Sequence, residues 1–274
     1  MSGFSIDWLD LREDADRRAR DSGLRERAIH WLQRDAAPDR ASIVVDLGAG
    51  TGSTLRALED VGHIPLIWRL VDHDQSLLAE AQRRHGGQTR IETFAADLSD
   101  IMTLPLTGAR LVTASALFDL VSAGFLQTLA QVLQAQSSRV PVAVYSALNY
   151  DGRTRWTPAH PLDDLVLQAF NEDQRRDKGF GPALGPDAGG AMQRTFSQAG
   201  FRVSSASSDW VLDGADEGLV SALITGIAAA VAGSHGLDAS SLADWVSFRQ
   251  SRVASGTCTV GHTDLLAESV KGVI

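Results

Sequence analysis

The chain has 274 residues, of which 44% are hydrophobic and 22% are charged, and this balance excludes a disordered chain, collagen and a coiled coil. Its 25 Lys and Arg and 34 Asp and Glu residues give a formal net charge of −9, which argues against nucleic acid as a partner because phosphates are bound by clustered cations. The single cysteine, Cys258, excludes an intrachain disulfide and a cysteine-rich metal site, and we expect no metal.

The N-terminal part of the chain is predicted to be helical. Over residues 5–36, apolar residues recur at helical spacing with charged residues between them, which is typical of amphipathic helices. We therefore expect residues 1–40 to form a helical cap. The first residues lack the basic and apolar regions of a signal peptide, so we expect a cytoplasmic protein.

From residue 42 the pattern changes to short β-rich runs that alternate with short helices. The predicted strands are 43–47, 66–71, 90–95, 109–115 and 140–146. This alternation predicts an α/β fold, a doubly wound parallel sheet with helices on both faces. Because the carboxyl ends of such strands share one edge, where ligands bind, we expect 42–147 to be the ligand-binding core.

Residues 147–188 interrupt this alternation. They contain half of the chain's eight prolines and one predicted helix, near 161–176. A long excursion at the binding edge is typical of a lid or a substrate wall, with a plain connecting loop as the alternative.

Residues 190–274 are predicted to complete the same single domain, 1–274. The predicted elements are a helix at 190–199, a strand at 201–212, helices at 215–233 and 240–254, and a last strand at 256–263. The apolar run 219–232 is too short to span a bilayer, so we expect a buried helix and no membrane partner. The two long helices carry more apolar residues than a connection needs, which leaves a monomer and a homodimer both open.

A glycine-rich turn joins the first predicted strand to the first helix of the core. Residues 45–53 read Val-Asp-Leu-Gly-Ala-Gly-Thr-Gly-Ser. The three glycines allow a sharp turn and a close approach of a ligand to bare backbone, and the following helix offers free N–H groups. A nicotinamide or flavin fingerprint, G-x-G-x-x-G, would require glycine at position 53, which is Ser53.

Acidic residues stand at the ends of three predicted strands. Asp46 lies two residues before the first glycine, Asp72 ends the second strand, and Asp97 ends the third. A carboxylate at the end of the second strand is placed to accept hydrogen bonds from both ribose hydroxyls, and one at the end of the third to accept from an adenine amino group. Each Asp is otherwise a helix cap or a turn residue.

This constellation resembles the class I S-adenosylmethionine-dependent methyltransferases, closely over 42–147 and loosely over 190–265. The resemblance implies S-adenosylmethionine as cofactor, S-adenosylhomocysteine as product, and 42–147 as the cofactor-binding core. It also implies a Rossmann-like seven-stranded sheet of order 3-2-1-4-5-7-6, with the seventh strand antiparallel and helices inserted in the C-terminal part.

The resemblance implies a role for each residue of this chain that matches the family's motif. The glycine turn holds the methionine part, Asp46 orients the turn and the ammonium, Asp72 binds ribose and Asp97 binds adenine. We add one of the arginines that precede the core, Arg12, Arg17 or Arg20, as a bidentate partner for the cofactor carboxylate. Arg12 is preferred, with a solvated helix face as the alternative. The candidate cofactor-binding residues are Asp46, Gly48, Ala49, Gly50, Thr51, Gly52, Asp72, His73, Asp97, Leu98, Ser115 and Arg12.

The segment after the fourth strand bears on the methyl acceptor. Residues 115–120 read Ser-Ala-Leu-Phe-Asp-Leu and lack the Asn/Asp-Pro-Pro-Tyr/Phe motif of members that methylate amide or adenine nitrogens. We therefore expect transfer to an oxygen of a small molecule, less probably to carbon or nitrogen. A non-catalytic adenosyl-ligand-binding protein and an NAD(P)-dependent oxidoreductase are the alternatives.

Candidates for contact with the acceptor lie near the fifth strand and in the excursion. The substrate-binding candidates are Asn149, Tyr150, Arg153 and Trp156. The candidate bases are His160, Asp119 and Tyr150. A capping or surface role is the alternative for His160, because it stands before Pro161 in a predicted loop. Asp119 either acts as a base or caps the helix that begins near residue 122.

Overall fold

The computed structural model describes residues 4–34, 36–37, 39–62 and 64–270, so the outer ends of the predicted segments 1–40 and 190–274 lie outside the described residues. Within these ranges eight strands form one sheet. The strands are β1 (Ser42–Leu47), β2 (Leu66–Asp72), β3 (Arg90–Ala95), β4 (Ala109–Ser115), β5 (Ala143–Thr157), β6 (Phe201–Ser207), β7 (Trp210–Leu212) and β8 (Thr257–Ser269).

Nine α-helices pack on the sheet and at its carboxyl edge within the same described ranges. They are α1 (Ile6–Ala19), α2 (Ser22–Gln33), α3 (Ser53–Ala57), α4 (Gln75–His85), α5 (Ala123–Ser137), α6 (Asp163–Gln174), α7 (Ala188–Gln198), α8 (Glu217–Val231) and α9 (Ala239–Gln250). The predicted N-terminal cap is the pair α1–α2. Helix α2 buries Leu24, Ala28, Ile29 and Leu32, the apolar stripe that the helical spacing predicts.

The strand order is β3-β2-β1-β4-β5-β8-β6. Strands β1 to β5 are parallel, and β8 is antiparallel to its neighbours. This is the predicted order 3-2-1-4-5-7-6, with β8 as the antiparallel strand. The predicted count of seven is wrong, because the predicted strand 201–212 is divided into β6 and β7, both paired with β8.

The division of the sixth strand has a local cause. Between β6 and β7 the backbone N–H of Ser208 donates to the carbonyl of His262. The side chain of Asp209 accepts from the N–H of His262 at 3.3 Å and from Arg153 at 2.8 Å. Side-chain bonds therefore replace the regular ladder at this point, and a sequence pattern of alternation does not reveal that change.

The predicted excursion 147–188 begins later than expected. Strand β5 continues to Thr157 and pairs with β8 as far as Thr257, which makes an antiparallel arm beyond the parallel core. The register shifts between Tyr150 and Thr154, so a bulge lies where Gly152 suggests a turn. Only the part from α6 onward is an excursion from the sheet.

Helix α8 is the most apolar helix. Residues Gly214–Val231 have a mean hydropathy of 1.4 and are long and apolar enough, by composition alone, to cross a membrane; a core helix passes the same test. Leu219, Ile224 and Ile227 are buried in a cluster with Trp245, but only 28% of the stretch is buried. The expected buried helix therefore buries one face and exposes the other.

Candidate functional site

A cavity of about 320 Å³ lies at the carboxyl ends of the parallel strands, within the size range of small-molecule sites. A chamber of about 50 Å³ continues it along the glycine turn. The cavity is lined by Phe4, Leu9, Arg12, Gly48, Gly50, Asp72, His73, Leu77, Leu98, Ser115, Ala116, Leu117, Leu120, Lys178 and Phe180. Six of these also line the chamber, together with Ala49 and Thr51: Leu9, Arg12, Gly48, Gly50, Ser115 and Ala116.

The turn after β1 is built from glycines with positive φ. Gly50 has a φ of +52° and Gly52 one of +87°, values that side chains disfavour. A Cβ atom on Gly50 would lie 3.1 Å from Cδ1 of Leu9, and one on Gly52 would lie 3.0 Å from Cδ2 of His85. The turn therefore lies closely between α1 and α4, and it presents bare backbone to the cavity.

Asp72 ends β2 beneath this turn. One carboxylate oxygen accepts from the N–H of Gly50 at 2.9 Å, and the other accepts from the N–H of Asp74 at 3.0 Å. Nδ1 of His73 lies 3.2 Å from the second oxygen. Asp72 and His73 both line the cavity, so the structure brings these two predicted residues together with the turn.

Asp46 is buried below the chamber. Its Oδ1 accepts from the hydroxyl of Thr113 at 2.7 Å, whereas Oδ2 has no hydrogen-bond partner among the described residues. Burial raises the pKa of Asp46 to about 7, against the opposing effects of the Thr113 hydrogen bond and the charge of Arg20. A buried carboxylate with a free acceptor oxygen is suited to receive a cationic group.

Arg20 is a buried cation, and it is one of the three arginines considered for the cofactor carboxylate, although Arg12 was preferred. Its Nη2 donates to the hydroxyls of Ser53 at 3.1 Å and Ser115 at 3.0 Å, and both serines line the chamber. Nη1 has no partner among the residues described by the structure. The one available signal is position: Arg20 immediately follows α1 and precedes the Ser22-Gly23 break, where the chain turns back into the domain.

Arg12 does not match its predicted role. Its guanidinium already forms a bidentate pair with Asp16, at 2.8 and 3.1 Å, and lies 4.9 Å from the ring centroid of Trp210. The indole N–H of Trp210 donates to the same carboxylate at 2.9 Å. Arg12 lines the cavity, but Arg20 is the arginine with a free donor.

Asp97 stands apart from the other predicted cofactor residues. It is exposed, and its Oδ1 accepts from the N–H of Ser99 at 2.9 Å, a bond that lowers its pKa. It lies with His73 on a shallow groove beside the cavity, whereas the next residue, Leu98, lines the cavity itself. Asp97 thus has the turn geometry that was its alternative, and its contact with adenine stays a prediction.

The structure places Asn149 inside the fold and not among the residues that line the cavity. Asn149 is fully buried, and its amide donates to the hydroxyl of Ser146 at 2.7 Å and to the carbonyl of Thr263 at 3.1 Å. Its oxygen accepts from the N–H of Phe118 at 3.1 Å. The prediction placed Asn149 just after a strand; because β5 continues, the side chain instead connects β5, β8 and the loop after β4.

The side chain of Tyr150 likewise makes its contacts inside the protein. Its hydroxyl donates to the side-chain oxygen of Asn171 at 2.8 Å, and its ring packs against Phe170 and His262. Burial raises the pKa of Tyr150 to about 12. It is therefore neither a base near neutral pH nor a lining residue of the cavity.

Arg153 and Trp156 lie on the β5–β8 arm, away from the cavity lining. Arg153 forms ion pairs with Asp151 and Asp209. Trp156 packs edge-on against Trp245, with a ring-centroid distance of 6.0 Å. They lie there because β5 is longer than its sequence pattern indicates, which carries these side chains past the edge of the core. Their contact with an acceptor stays a prediction.

The three candidate bases differ in their surroundings. His160 lies in the turn before α6, where its Nδ1 accepts from the N–H of Leu162 at 3.2 Å, and it is not among the residues that line the cavity. Asp119 does not cap α5, since the hydroxyl of Ser122 accepts from Phe125 at 3.2 Å in that role. Oδ1 of Asp119 is buried and has no partner among the described residues, and burial raises its pKa to about 6.

The apolar part of the cavity was not predicted residue by residue. Leu9 comes from α1, Leu117 and Leu120 from the loop after β4, and Lys178 and Phe180 from the segment after α6. The last two belong to the predicted excursion, so a short part of that segment does form a wall of the cavity. Nothing in the local pattern separates an apolar side chain that lines a cavity from one that packs in the core.

No family model and no curated protein sequence matches the chain. Among solved structures, the chain is similar to Haemonchus contortus phosphoethanolamine N-methyltransferase 2, bound to phosphomonomethylethanolamine and S-adenosylhomocysteine, at 12% identity and a TM-score of 0.43. That match covers 90% of this chain, which spans only about half (53%) of the other.

Two further structures match over most of both chains. A putative sarcosine dimethylglycine methyltransferase from Galdieria sulphuraria is 13% identical, with coverage of 97% and 98% and a TM-score of 0.45. Geranyl diphosphate C-methyltransferase from Streptomyces coelicolor A3(2) is 14% identical, with coverage of 91% and 80% and a TM-score of 0.44. TM-scores this low do not by themselves establish a common fold.

The topology identifies the fold on its own evidence. The sheet order runs 3-2-1-4-5, followed by one antiparallel strand and the divided sixth strand. The turn between β1 and α3 carries the G-x-G-x-G sequence, and an acid at the end of β2 holds that turn from below. The chain therefore has the Rossmann-like fold of the class I S-adenosylmethionine-dependent methyltransferases.

Proposed function

We propose that the protein is an S-adenosylmethionine-dependent methyltransferase that acts on a small molecule. One observation carries the proposal: beside the chamber, a buried guanidinium nitrogen of Arg20 and a buried carboxylate oxygen of Asp46 both lack partners among the described residues. A carboxylate and an ammonium on one ligand would satisfy this pair. The amino-acid end of S-adenosylmethionine has both groups.

The adjoining cavity suits the nucleoside end of the same cofactor. Asp72 and His73 lie on one side of it, and Leu77 and Leu98 are apolar surfaces for a flat ring. A carboxylate has about four acceptor sites, so Asp72 retains capacity for ribose hydroxyls beyond its two backbone bonds. The glycine turn lies between the two ends, where a sulfonium would sit.

When bound, the cofactor would supply a methyl group that is already electrophilic, for in-line displacement by the acceptor with S-adenosylhomocysteine as the leaving group. The work left for the chain is to align the acceptor, exclude water and take up a proton. The apolar side chains of Leu9, Leu117 and Leu120 line the cavity and would help to exclude water from it.

We propose an oxygen acceptor, with Asp119 as the proton acceptor. Its neighbours in the chain, Leu117 and Leu120, line the cavity, and Arg12, another lining residue, is a nearby charge that lowers its pKa against the effect of burial. With a pKa of about 6, the group is mostly ionised at neutral pH and readily takes a proton. A hydroxyl acceptor has such a proton to give.

Calorimetric titration of the purified protein with S-adenosylmethionine, S-adenosylhomocysteine and NADH tests the proposal. We expect the first two to bind and NADH not to bind. Binding of NADH alone would overturn the proposal in favour of an oxidoreductase. Binding of both adenosyl ligands without methyl transfer to any acceptor in a broad panel would favour a non-catalytic binding protein.

A further inference from the structure

A second part of the cavity lining is an apolar wall, two members of which, Leu9 and Leu117, also adjoin the glycine turn. This acceptor wall consists of Phe4 and Leu9 from the N-terminal cap, Leu117 and Leu120 from the loop after β4, and Phe180 after α6. All five side chains are apolar. The cations that line the cavity beside them are Arg12 and Lys178.

Neither cation of the acceptor wall is available to bind an anion. Arg12 is paired through two hydrogen bonds with Asp16, at 2.8 and 3.1 Å. Nζ of Lys178 lies 2.8 Å from a carboxylate oxygen of Asp173. The net charge that the wall presents is therefore close to zero.

The region behind the wall does not favour an anion either. Asp119 carries a buried carboxylate oxygen without a partner among the described residues, which repels an anion and would attract a cation. His73 is directed to Asp72 at 3.2 Å. The surroundings of the wall therefore argue against an anionic acceptor.

An anionic acceptor would thus lose its hydration without gaining a counter-ion, and that loss is expensive in an apolar site. We propose that the methyl acceptor is a mainly apolar molecule without an anionic group and that it lies against Leu9, Leu120 and Phe180. This inference rests on the proposed function, because it assigns the glycine turn and Asp72 to the cofactor. It excludes phosphorylated and carboxylated acceptors, which are bound by free arginines or lysines.

Three probes of equal shape and different charge test the inference. Naphthol, naphthoic acid and naphthylmethylamine, substituted at the same ring position, are titrated at neutral pH into protein saturated with S-adenosylhomocysteine. We expect naphthol to bind at least about tenfold more tightly than naphthoic acid, the minimum expected for an uncompensated charge, and naphthylmethylamine also to bind more tightly than naphthoic acid. Equal or tighter binding of naphthoic acid than of either other probe, or no binding of any probe, would overturn the inference.

A variant reverses the expected preference. Asp173→Asn releases Lys178, and we expect naphthoic acid to gain at least about threefold in affinity, as for a newly freed partly buried cation. The matched control is Asp187→Asn, which releases Arg175 from a pair of 3.1 Å and should leave naphthoic acid binding unchanged. No gain in Asp173→Asn would mean that Lys178 is not the neutralised cation of the wall.

The two proposals fail in different ways. If S-adenosylhomocysteine does not bind, the proposed function fails before any probe is added. If it binds and naphthoic acid is preferred, the cofactor site stands and only the class of acceptor is wrong.

Discussion

The carboxylate of Asp72 accepts a hydrogen bond from the backbone N–H of Gly50 at 2.9 Å, so the end of β2 holds the turn that follows β1. The two strands are neighbours in register, with Leu47 opposite Val71. The same side chain therefore both fixes the glycine turn and lines the cavity. A turn fixed before the ligand arrives costs less entropy on binding.

Asp72→Ala is expected to weaken S-adenosylmethionine binding by roughly 1–3 kcal/mol, because ribose hydroxyls and the N–H of Gly50 lose a shared acceptor. Calorimetric titration measures the change. Asp74→Ala is the control, since its exposed side chain only caps α4. If Asp72→Ala binds the cofactor as tightly as the natural chain, Asp72 does not belong to the site.

Arg20→Gln is expected to weaken binding of the amino-acid end of the cofactor and to leave binding of its nucleoside end unchanged. Without the guanidinium, the affinity for S-adenosylmethionine should fall by roughly 2–3 kcal/mol, as for the loss of a charged hydrogen bond. Adenosine lacks the amino-acid end, so its affinity should change little. Arg17→Gln removes an exposed arginine of the same segment and should affect neither ligand; an equal loss for adenosine would indicate a general collapse of the site.

Asp46 gives the protein a pH-dependent stability. Its pKa is raised to about 7 in the fold and is near 3.9 in an unfolded chain. The folded state therefore holds the proton more tightly, and this contribution to stability is lost as the pH rises from about 4 to about 7.

Urea unfolding of the natural chain and of Asp46→Asn at several pH values measures this effect. The difference in unfolding free energy should shift in favour of Asp46→Asn by on the order of 3 kcal/mol between pH 4 and pH 8. The constant offset between the two proteins does not matter for the comparison. A difference that stays constant with pH would show that Asp46 has an ordinary pKa.

The parallel core was predictable because its signals are local. The alternation of strands and helices from Ile43 to Ser115 can be predicted from the spacing of apolar residues. The glycine turn can be predicted from three glycine positions. The acids at strand ends followed from the same spacing. Each of these features depends on a few consecutive residues.

The arm and the acceptor wall depend on partners far away in the chain. The local pattern places Tyr150 directly after the fifth strand. The strand continues because β8 pairs with it, and His262, which lies opposite Tyr150, is 112 residues away in the chain. The sequence identifies Lys178 as a cation. Only its ion pair with Asp173 shows that this charge is neutralised. Tertiary pairing of this kind overrides local propensity.

Helix α1 is expected to control the release of the cofactor. It covers the glycine turn through Leu9, and Glu13 holds it there by two hydrogen bonds from Arg56, at 2.9 and 2.5 Å. Asp10 adds a second pair with Arg84 at 2.6 Å. Arg12 and Glu13 of this helix line the chamber, so we expect a ligand there to leave faster when these ion pairs open.

Arg56→Met should therefore speed the dissociation of S-adenosylhomocysteine by about fivefold, the value of roughly 1 kcal/mol for a partly exposed pair. Stopped-flow displacement measures the rate. High salt should accelerate release from the natural chain more than from the variant, because screening acts on the pair that the variant lacks. Arg83→Met removes an exposed pair within α4 and should leave the rate unchanged; a similar acceleration there would mean that release follows overall charge and not the contact between Glu13 and Arg56.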